Sequence, residues 1–473
     1  MSRWTPELVE AVVLYLERPR DVKLVLASLP QSLLTLSLQC VAQLTAMAVV
    51  HWPEVYLDET AINARSLRLL AAARRLGPSI AVHVTAGDRF QALTRLLAGC
   101  ITRVDIKSAL ILPAGLRLQA ALGSCRALRH LSLFIPSKSD AVVWLKPLLQ
   151  HLATTKTLTT LDLRFGRDSI QSYVFEHVAH WLCQPSASFL VCRGDVTAEE
   201  ALWSALGASA VLTDLVLESP RLLTRPTTDY RLPDTLRTLT WKASNERSMG
   251  PVAAMLRSVS RLSSLTLSWG HLPPSPLVAV VRDLRHLVAV AFTGNRLGCN
   301  VFPPVLQAIA NLQLLETLSL SDNQLTDSVV PYLLHILTTC TALRMLDVAQ
   351  NAMSATGLAR LLPLLATKPK LARVQLEDNR YVLRDLTHVA SSLAHWPSAS
   401  TLVLGFDSSH GADALLFLEK IQTTTPIRVE MRDSEWYVPR LLQRAYTRET
   451  TRLRNGNDQQ PWTLRLVSYA RKE

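Results

Sequence analysis

Three segments of this chain repeat one spacing of apolar residues closed by an asparagine. The first is Leu315-x-x-Leu318-x-Leu320-x-x-Asn323-x-Leu325, and the second is Leu343-x-x-Leu346-x-Val348-x-x-Asn351-x-Met353. The third is Leu371-x-x-Val374-x-Leu376-x-x-Asn379-x-Tyr381, and corresponding residues lie 28 positions apart. A fixed period of this length marks a solenoid, in which each repeat buries its apolar face only by stacking on its neighbours. Between the copies, Ser328 to Leu337 and Ala355 to Leu365 carry apolar residues at helical spacing. Strand and helix must therefore alternate.

The motif resembles that of the leucine-rich repeats, and a strand followed by a full helix at this period resembles the ribonuclease-inhibitor type. The resemblance implies an α/β solenoid: a horseshoe with a parallel β-sheet on the concave face and helices on the convex face. It also implies that Asn295, Asn323, Asn351 and Asn379, at one register, bond to backbone groups where the chain turns after each strand. The physical need is plain, because an inward bend leaves buried donors and acceptors that require partners.

Weaker copies extend the array. Ile80-x-Val82-x-Val84, Ile101-x-x-Val104-x-Ile106, Leu128-x-x-Leu131-x-Leu133, Leu158-x-x-Leu161-x-Leu163 and Ala187-x-x-Leu190-x-Cys192 predict strands. So do the segments at Leu212, Leu236, Leu262 and Leu287, and later those at Ala399, Pro426 and Trp462 to Val467. Leu223 to Tyr230 reads as a loop. The organisation expected is a helical module at 1–66, repeats over 67–431, and a C-terminal cap with a basic tail over 432–473. Two segments echo each other, Val178-Ala-His-Trp181 and Leu393-Ala-His-Trp396, each with Pro-Ser-Ala-Ser close behind. Both tryptophans read as packing residues.

The N-terminal segment lacks the repeat. Thr5-Pro6-Glu7 has the signature of a helix start, with Thr as N-cap, Pro in the first turn and Glu at the positive end of the dipole. Breaks at Pro19 and Pro30 predict further helices. A Pro-led helix, an Asp21-Val22 break, more helix and a closing Trp52-Pro53-x-x-x-Leu57 are similar to a divergent F-box. Thr5 departs from the leucine usual there, and the Val-Cys-x-x-Trp helix is not recognisable. The resemblance implies docking of the Skp-type adaptor of a cullin ubiquitin ligase, through Pro6, Leu8, Val12 and Leu16. The alternative is a cap over the exposed edge of the first repeat.

Composition narrows the function classes. At 473 residues the chain exceeds one compact core, so an elongated array or several domains are expected. No apolar run reaches the roughly 20 residues that span a bilayer, and Glu7 and Glu10 interrupt any signal-peptide core. A cytoplasmic or nuclear protein is expected. The 7 cysteines are scattered and odd in number, so they read as buried small hydrophobes rather than a disulfide framework. The net charge of +12 is spread among acidic residues, which does not favour nucleic acid.

Catalytic patterns are missing. Glu176-His177-x-x-His180 lacks the H-E-x-x-H order and a third ligand, and Asp407-Ser408-Ser409-His410 reads as a surface loop. There is no G-x-S-x-G, Walker motif or G-x-G-x-x-G. No cofactor and no enzyme activity are expected. Outward positions on the strands should instead line a protein-binding face: Arg103, Arg129, Phe134, Asp162, Arg164, Phe165, Trp269, Arg344, Asp347, Arg373 and Glu377. The function expected is protein recognition, as the substrate-selecting subunit of a ubiquitin ligase. The alternatives are a scaffold or regulator unrelated to ubiquitin and, third, a nucleic-acid binder.

Overall fold

Pairing of strands that share a hydrophobic phase builds the core. The computed structural model describes residues 5–16, 19–46, 54–85, 88–106, 112–135, 141–166, 172–194, 200–218, 231–242, 250–269, 274–295, 302–381, 383–387, 393, 400–406, 428–433 and 463–468. The chain divides into two compact units, Met1–Thr235 and Leu236–Glu473. Each is a stack of parallel strands alternating with helices.

The first unit opens with helices α1 (Pro6–Tyr15), α2 (Pro19–Ser28) and α3 (Leu36–Ala46). Thr5 caps α1 as its sequence predicts, its hydroxyl oxygen accepting from Leu8 N at 3.3 Å. Val9, Val13, Val22, Leu38 and Val41 are fully buried between these helices and the first repeat. The sheet begins earlier than its pattern announces. Strand β1 (Glu54–Asp58) lies inside the segment expected to be helical and pairs in parallel with β2 (Ser79–Val84). Its Val55 and Leu57 supply only two inward residues, too few to stand out as a repeat. Then come β3 (Ile101–Ile106), β4 (His130–Ile135), β5 (Thr160–Phe165), β6 (Phe189–Gly194) and β7 (Asp214–Glu218). Each pairs in parallel with the one before.

Helices α4 (Ala64–Ala73), α5 (Asp88–Leu97), α6 (Leu112–Gly123), α7 (Ala141–Thr154), α8 (Ser172–Leu182) and α9 (Glu200–Ala208) connect these strands. Inward side chains meet them: Phe165 of β5 lies 5.4 Å from Phe175 of α8. Trp181 is buried, and its indole N–H donates to Leu158 O at 3.1 Å. That contact fixes the end of α8 under β5.

In the second unit, β8 (Thr238–Lys242), β9 (Ser264–Ser268) and β10 (Ala289–Thr293) lead into three short strands. These are β11 (Thr317–Ser319), β12 (Met345–Asp347) and β13 (Arg373–Gln375). Then β14 (Thr401–Phe406), β15 (Arg428–Asp433) and β16 (Thr463–Ser468) continue the parallel order. Strands β15 and β16 lie where the segments at Pro426 and at Trp462 to Val467 predict them. Each strand from β9 to β13 pairs with the one before it in the same unit. Helices Val330–Thr339 and Ala355–Ala366 fill the intervals where helical spacing predicts them.

Buried amides close the turns of this block. Asn351 Nδ2 donates to Leu320 O, Val348 O and Ala349 O, each at 3.0 Å. Its Oδ1 accepts from Asn323 N and Leu325 N, each at 3.0 Å. Asn323 Oδ1 accepts from Asn295 N at 3.1 Å, and Asn379 Oδ1 from Met353 N at 3.1 Å. One repeat's side chain thus serves the backbone of the repeat before it. The residue preceding each asparagine takes a left-handed conformation: Gly294, Asp322, Gln350 and Asp378.

Candidate functional site

Alternation on each strand sends one set of side chains toward the helices and the other to the open face of the sheet. Apart from one register shift between Ile80 and Ala81 where β2 meets β3, the strands β1 to β6 stay in step, and the open-face residues of the first unit form rows. One row holds Tyr56, Ala81, Arg103, His130, Thr160 and Phe189. The next holds Asp58, His83, Asp105, Ser132, Asp162 and Val191. A third runs Phe134, Arg164, Arg193 and Glu218.

Carboxylates in the middle row hold bases from the rows beside it. Arg103 Nε lies 2.9 Å from Asp105 Oδ2, and His130 Nε2 lies 3.6 Å from Asp105 Oδ1. Arg164 reaches Asp162 Oδ2 at 3.3 Å, and Arg193 Nε lies 3.8 Å from Asp162 Oδ1. Burial pushes the Asp105 carboxyl up, but hydrogen bonds from His130 and Arg103 outweigh it and hold it at about 2. Asp162 is nearly covered, at 6% exposure, and Ser132 beside it at 1%. Ser132 Oγ and Arg164 Nε are buried in this patch without a hydrogen-bond partner among the described residues.

The structure places the expected site residues unevenly. Arg103, Phe134, Asp162 and Arg164 share the open face of the first unit. Phe165 does not, because one residue of shift along a strand reverses the face. It is a core residue against Phe175, 5% exposed. Arg129 precedes β4, and its carbonyl accepts from Thr159 N and Thr160 N at 2.8 and 2.9 Å. In the second unit Asp347 is tied down, accepting from Ser319 Oγ at 2.8 Å and Ala349 N at 3.0 Å. Arg373 stands half-buried on β13, and Glu377 is buried, accepting from Gln375 Nε2 at 3.1 Å. Arg344 is exposed and pairs with Glu316 at 3.3 Å. Trp269 is 56% exposed and occupies the left-handed turn position at φ 62. A Cβ on Gly294 would come within 2.9 Å of the Trp269 indole, so the glycine makes room for the ring.

Asp105, His130, Ser132 and Arg193 were not among the expected residues. Counting in twos from Leu190-x-Cys192 puts Arg193 outward, and the same count from Leu131-x-Leu133 puts His130 and Ser132 there. On α1, Leu8 is 48% exposed, with Pro6 and Val12 half-buried, and Leu16 just past its end is half-buried as well. Ser37 of α3 donates to Ala72 O of α4 at 3.0 Å, docking the helical segment on the first repeat.

Nothing in the described residues forms an evident reaction centre. Burial pushes the thiols of Cys40, Cys100, Cys192 and Cys340 up and takes that of Cys125 to about 12, which suits packing rather than nucleophilic attack. His180 Nδ1 is engaged with Glu176 O at 2.7 Å, its ring 6.5 Å from that of His177. No group of three or more His, Cys, Asp or Glu suited to a metal occurs among the described residues. No helix among them is long and apolar enough to cross a membrane. The Asp407–His410 segment lies outside the described residues.

No family model matches the chain, nor does any curated protein. Among solved structures it is similar to an internalin (inlF) from Listeria monocytogenes, at 16% identity and a TM-score of 0.32. That match covers 82% of this chain and 87% of that one. It is also similar to the tropomodulin C-terminal domain of Caenorhabditis elegans, at 16% identity and a TM-score of 0.26, over 37% of this chain and 96% of that one. For leiomodin-1 actin-binding site 2 the identity is 11% and the TM-score 0.25, over 38% and 95%. Likenesses this loose add nothing to the fold, which rests on the repeat itself.

Proposed function

We propose that this leucine-rich-repeat chain is a non-catalytic protein-recognition subunit of a cullin-type ubiquitin ligase, working in the cytoplasm or nucleus. The open sheet face selects the target, and the N-terminal helices dock the Skp-type adaptor; ubiquitin transfer is done by other subunits. The observation that carries target binding is the set of Arg103, Arg164 and Arg193 on either side of the row that holds Asp105 and Asp162. Fixed, partly exposed guanidinium groups beside an aromatic residue suit a protein surface. For the adaptor, α1 offers Leu8 and Val12, one step round the helix from its buried Val9 and Val13, with Leu16 just past its end.

Co-purification of the full chain with the purified adaptor tests the ligase role. Stable association, lost on Leu8→Asp with the fold retained, is expected; no association would end it. A scaffold or regulator without ubiquitin machinery is the second function, supported by the Ser37–Ala72 contact that docks the helices on the first repeat. Nucleic-acid binding fits less well, because Asp58, Asp105 and Asp162 stand among the arginines and would repel a phosphate backbone. Retention on heparin that falls steeply with salt would revive it.

A further inference from the structure

The net charge of +12, which reads as spread among acidic residues, is gathered by the fold. Residues 64–158 hold fourteen lysines and arginines and three carboxylates, so nearly all of the surplus lies there. Eleven of these bases stand on helices α4 to α7 and the turns that follow them, every one exposed, against the single carboxylate Asp88. Buried Glu59, with Glu10 and Glu176 on the flanking helices, offsets three more. Four helix C-termini carry about half a negative charge each, which still leaves this layer about five positive charges.

Several of the bases meet at one edge, where each helix ends and the chain turns into the next strand. Arg74 and Arg75 follow α4, Arg95 lies in the last turn of α5, Arg126 follows α6 and Lys156 follows α7. None of the five makes an ion pair among the described residues. The helix dipole alone favours a base there, but it gives no reason for two leucines to stand in water beside them. Leu96, next to Arg95, is 45% exposed. Leu36 is 70% exposed, and its neighbour Ser37 donates to Ala72 O, two residues before Arg74.

We propose that this edge of the first unit docks on an anionic lipid bilayer, its bases meeting the headgroups and its two leucines entering the interface. Charge complementarity carries the choice of partner, together with what the edge lacks. A fitted protein interface is built round aromatic anchors in packed pockets, and among the described residues of α4 to α7 no Phe, Tyr or Trp is exposed. A nucleic-acid backbone would draw on the charge but leave the leucines in water. A bilayer uses both. Each Lys or Arg near an anionic surface strengthens binding about fivefold, and each leucine gains by leaving water. No helix among the described residues is long and apolar enough to cross a membrane, so the contact is peripheral. It does not rest on the protein-recognition role.

The test is sedimentation of the full-length chain with vesicles of phosphatidylcholine alone and of phosphatidylcholine mixed about three to one with phosphatidylserine. A short DNA duplex is offered separately at equal phosphate concentration. Pelleting with the phosphatidylserine vesicles, none with phosphatidylcholine alone, and a fall with rising salt are expected. Arg74→Gln with Arg75→Gln should weaken vesicle binding about tenfold or more. Arg74→Lys with Arg75→Lys should retain it, because a headgroup surface reads charge rather than the guanidinium fork. Leu36→Ser should weaken vesicle binding severalfold and leave duplex binding unchanged. Unfolding midpoints equal to wild type in these variants guard against misfolding as the cause. No pelleting with phosphatidylserine, pelleting untouched by the double Gln substitution, or a duplex bound more tightly than the vesicles overturns the proposal.

Discussion

The two units present different faces from the same repeat. Across the middle of the first unit's sheet run Asp58, His83, Asp105, Ser132, Asp162 and Val191. The corresponding row in the second unit reads Thr240, Thr266, Ala291, Ser319, Asp347 and Gln375. Charge is concentrated in one and small neutral side chains begin the other. The turns differ in the opposite sense. From β10 to β13 an asparagine closes each turn, buried at Asn295, Asn323 and Asn351 and half-buried at Asn379, and strands β11 to β13 are three residues long. The six-residue strands β2 to β6 have no asparagine at that register. Regularity in the turns serves stability, and irregularity on the face leaves room for specific chemistry.

The largest effect should come from breaking the asparagine block. Asn351→Ala strips partners from three carbonyls and two amides at once. A loss of about 2–4 kcal/mol is expected, read as a lower denaturant midpoint. An unchanged midpoint would mean that these bonds do not hold the turn. Gly294→Ala comes next, because the position has φ 65 and its new Cβ would press on the Trp269 indole. Roughly 1–3 kcal/mol should be lost, and pairing it with Trp269→Gly should recover part of that by removing the clash.

Acid probes the first unit more gently. The Asp105 carboxyl is depressed from 3.8 to about 2 in the fold, so its contribution is complete above the unfolded value and lost as pH falls through the folded one. With Arg103 well exposed, about 1 kcal/mol should disappear between roughly pH 4 and pH 2. Asp105→Asn should flatten that segment of the stability–pH curve; a curve identical to the wild type would show that the ion pairs contribute nothing.

Much of this was legible in the sequence because the Leu-x-x-Leu-x-Leu phase marks both strand and inward face. The strands at Ile80, Ile101, Leu128 and Leu158 emerge where that spacing predicts them. Strand β1 was not, since Val55 and Leu57 lack the leading apolar residue and follow Trp52-Pro53, which read as the close of a helical module. Phe165 was misplaced although Leu161 and Leu163 already set its phase. The patch at Asp162 was half visible: facing can be counted along one strand, but pairing with Arg193 depends on register between segments some thirty residues apart. Only the assembled sheet brings them together.

The most direct test sets two variants of the full chain against each other in stability. Denaturant unfolding is followed for Asn351→Ala, which removes a ladder amide, and for Arg103→Gln, which removes an exposed guanidinium from the face. The ladder variant should lose about 2–4 kcal/mol, and the face variant no more than about 1 kcal/mol. Equal losses in both, or the larger loss in the face variant, would contradict this division between the two units.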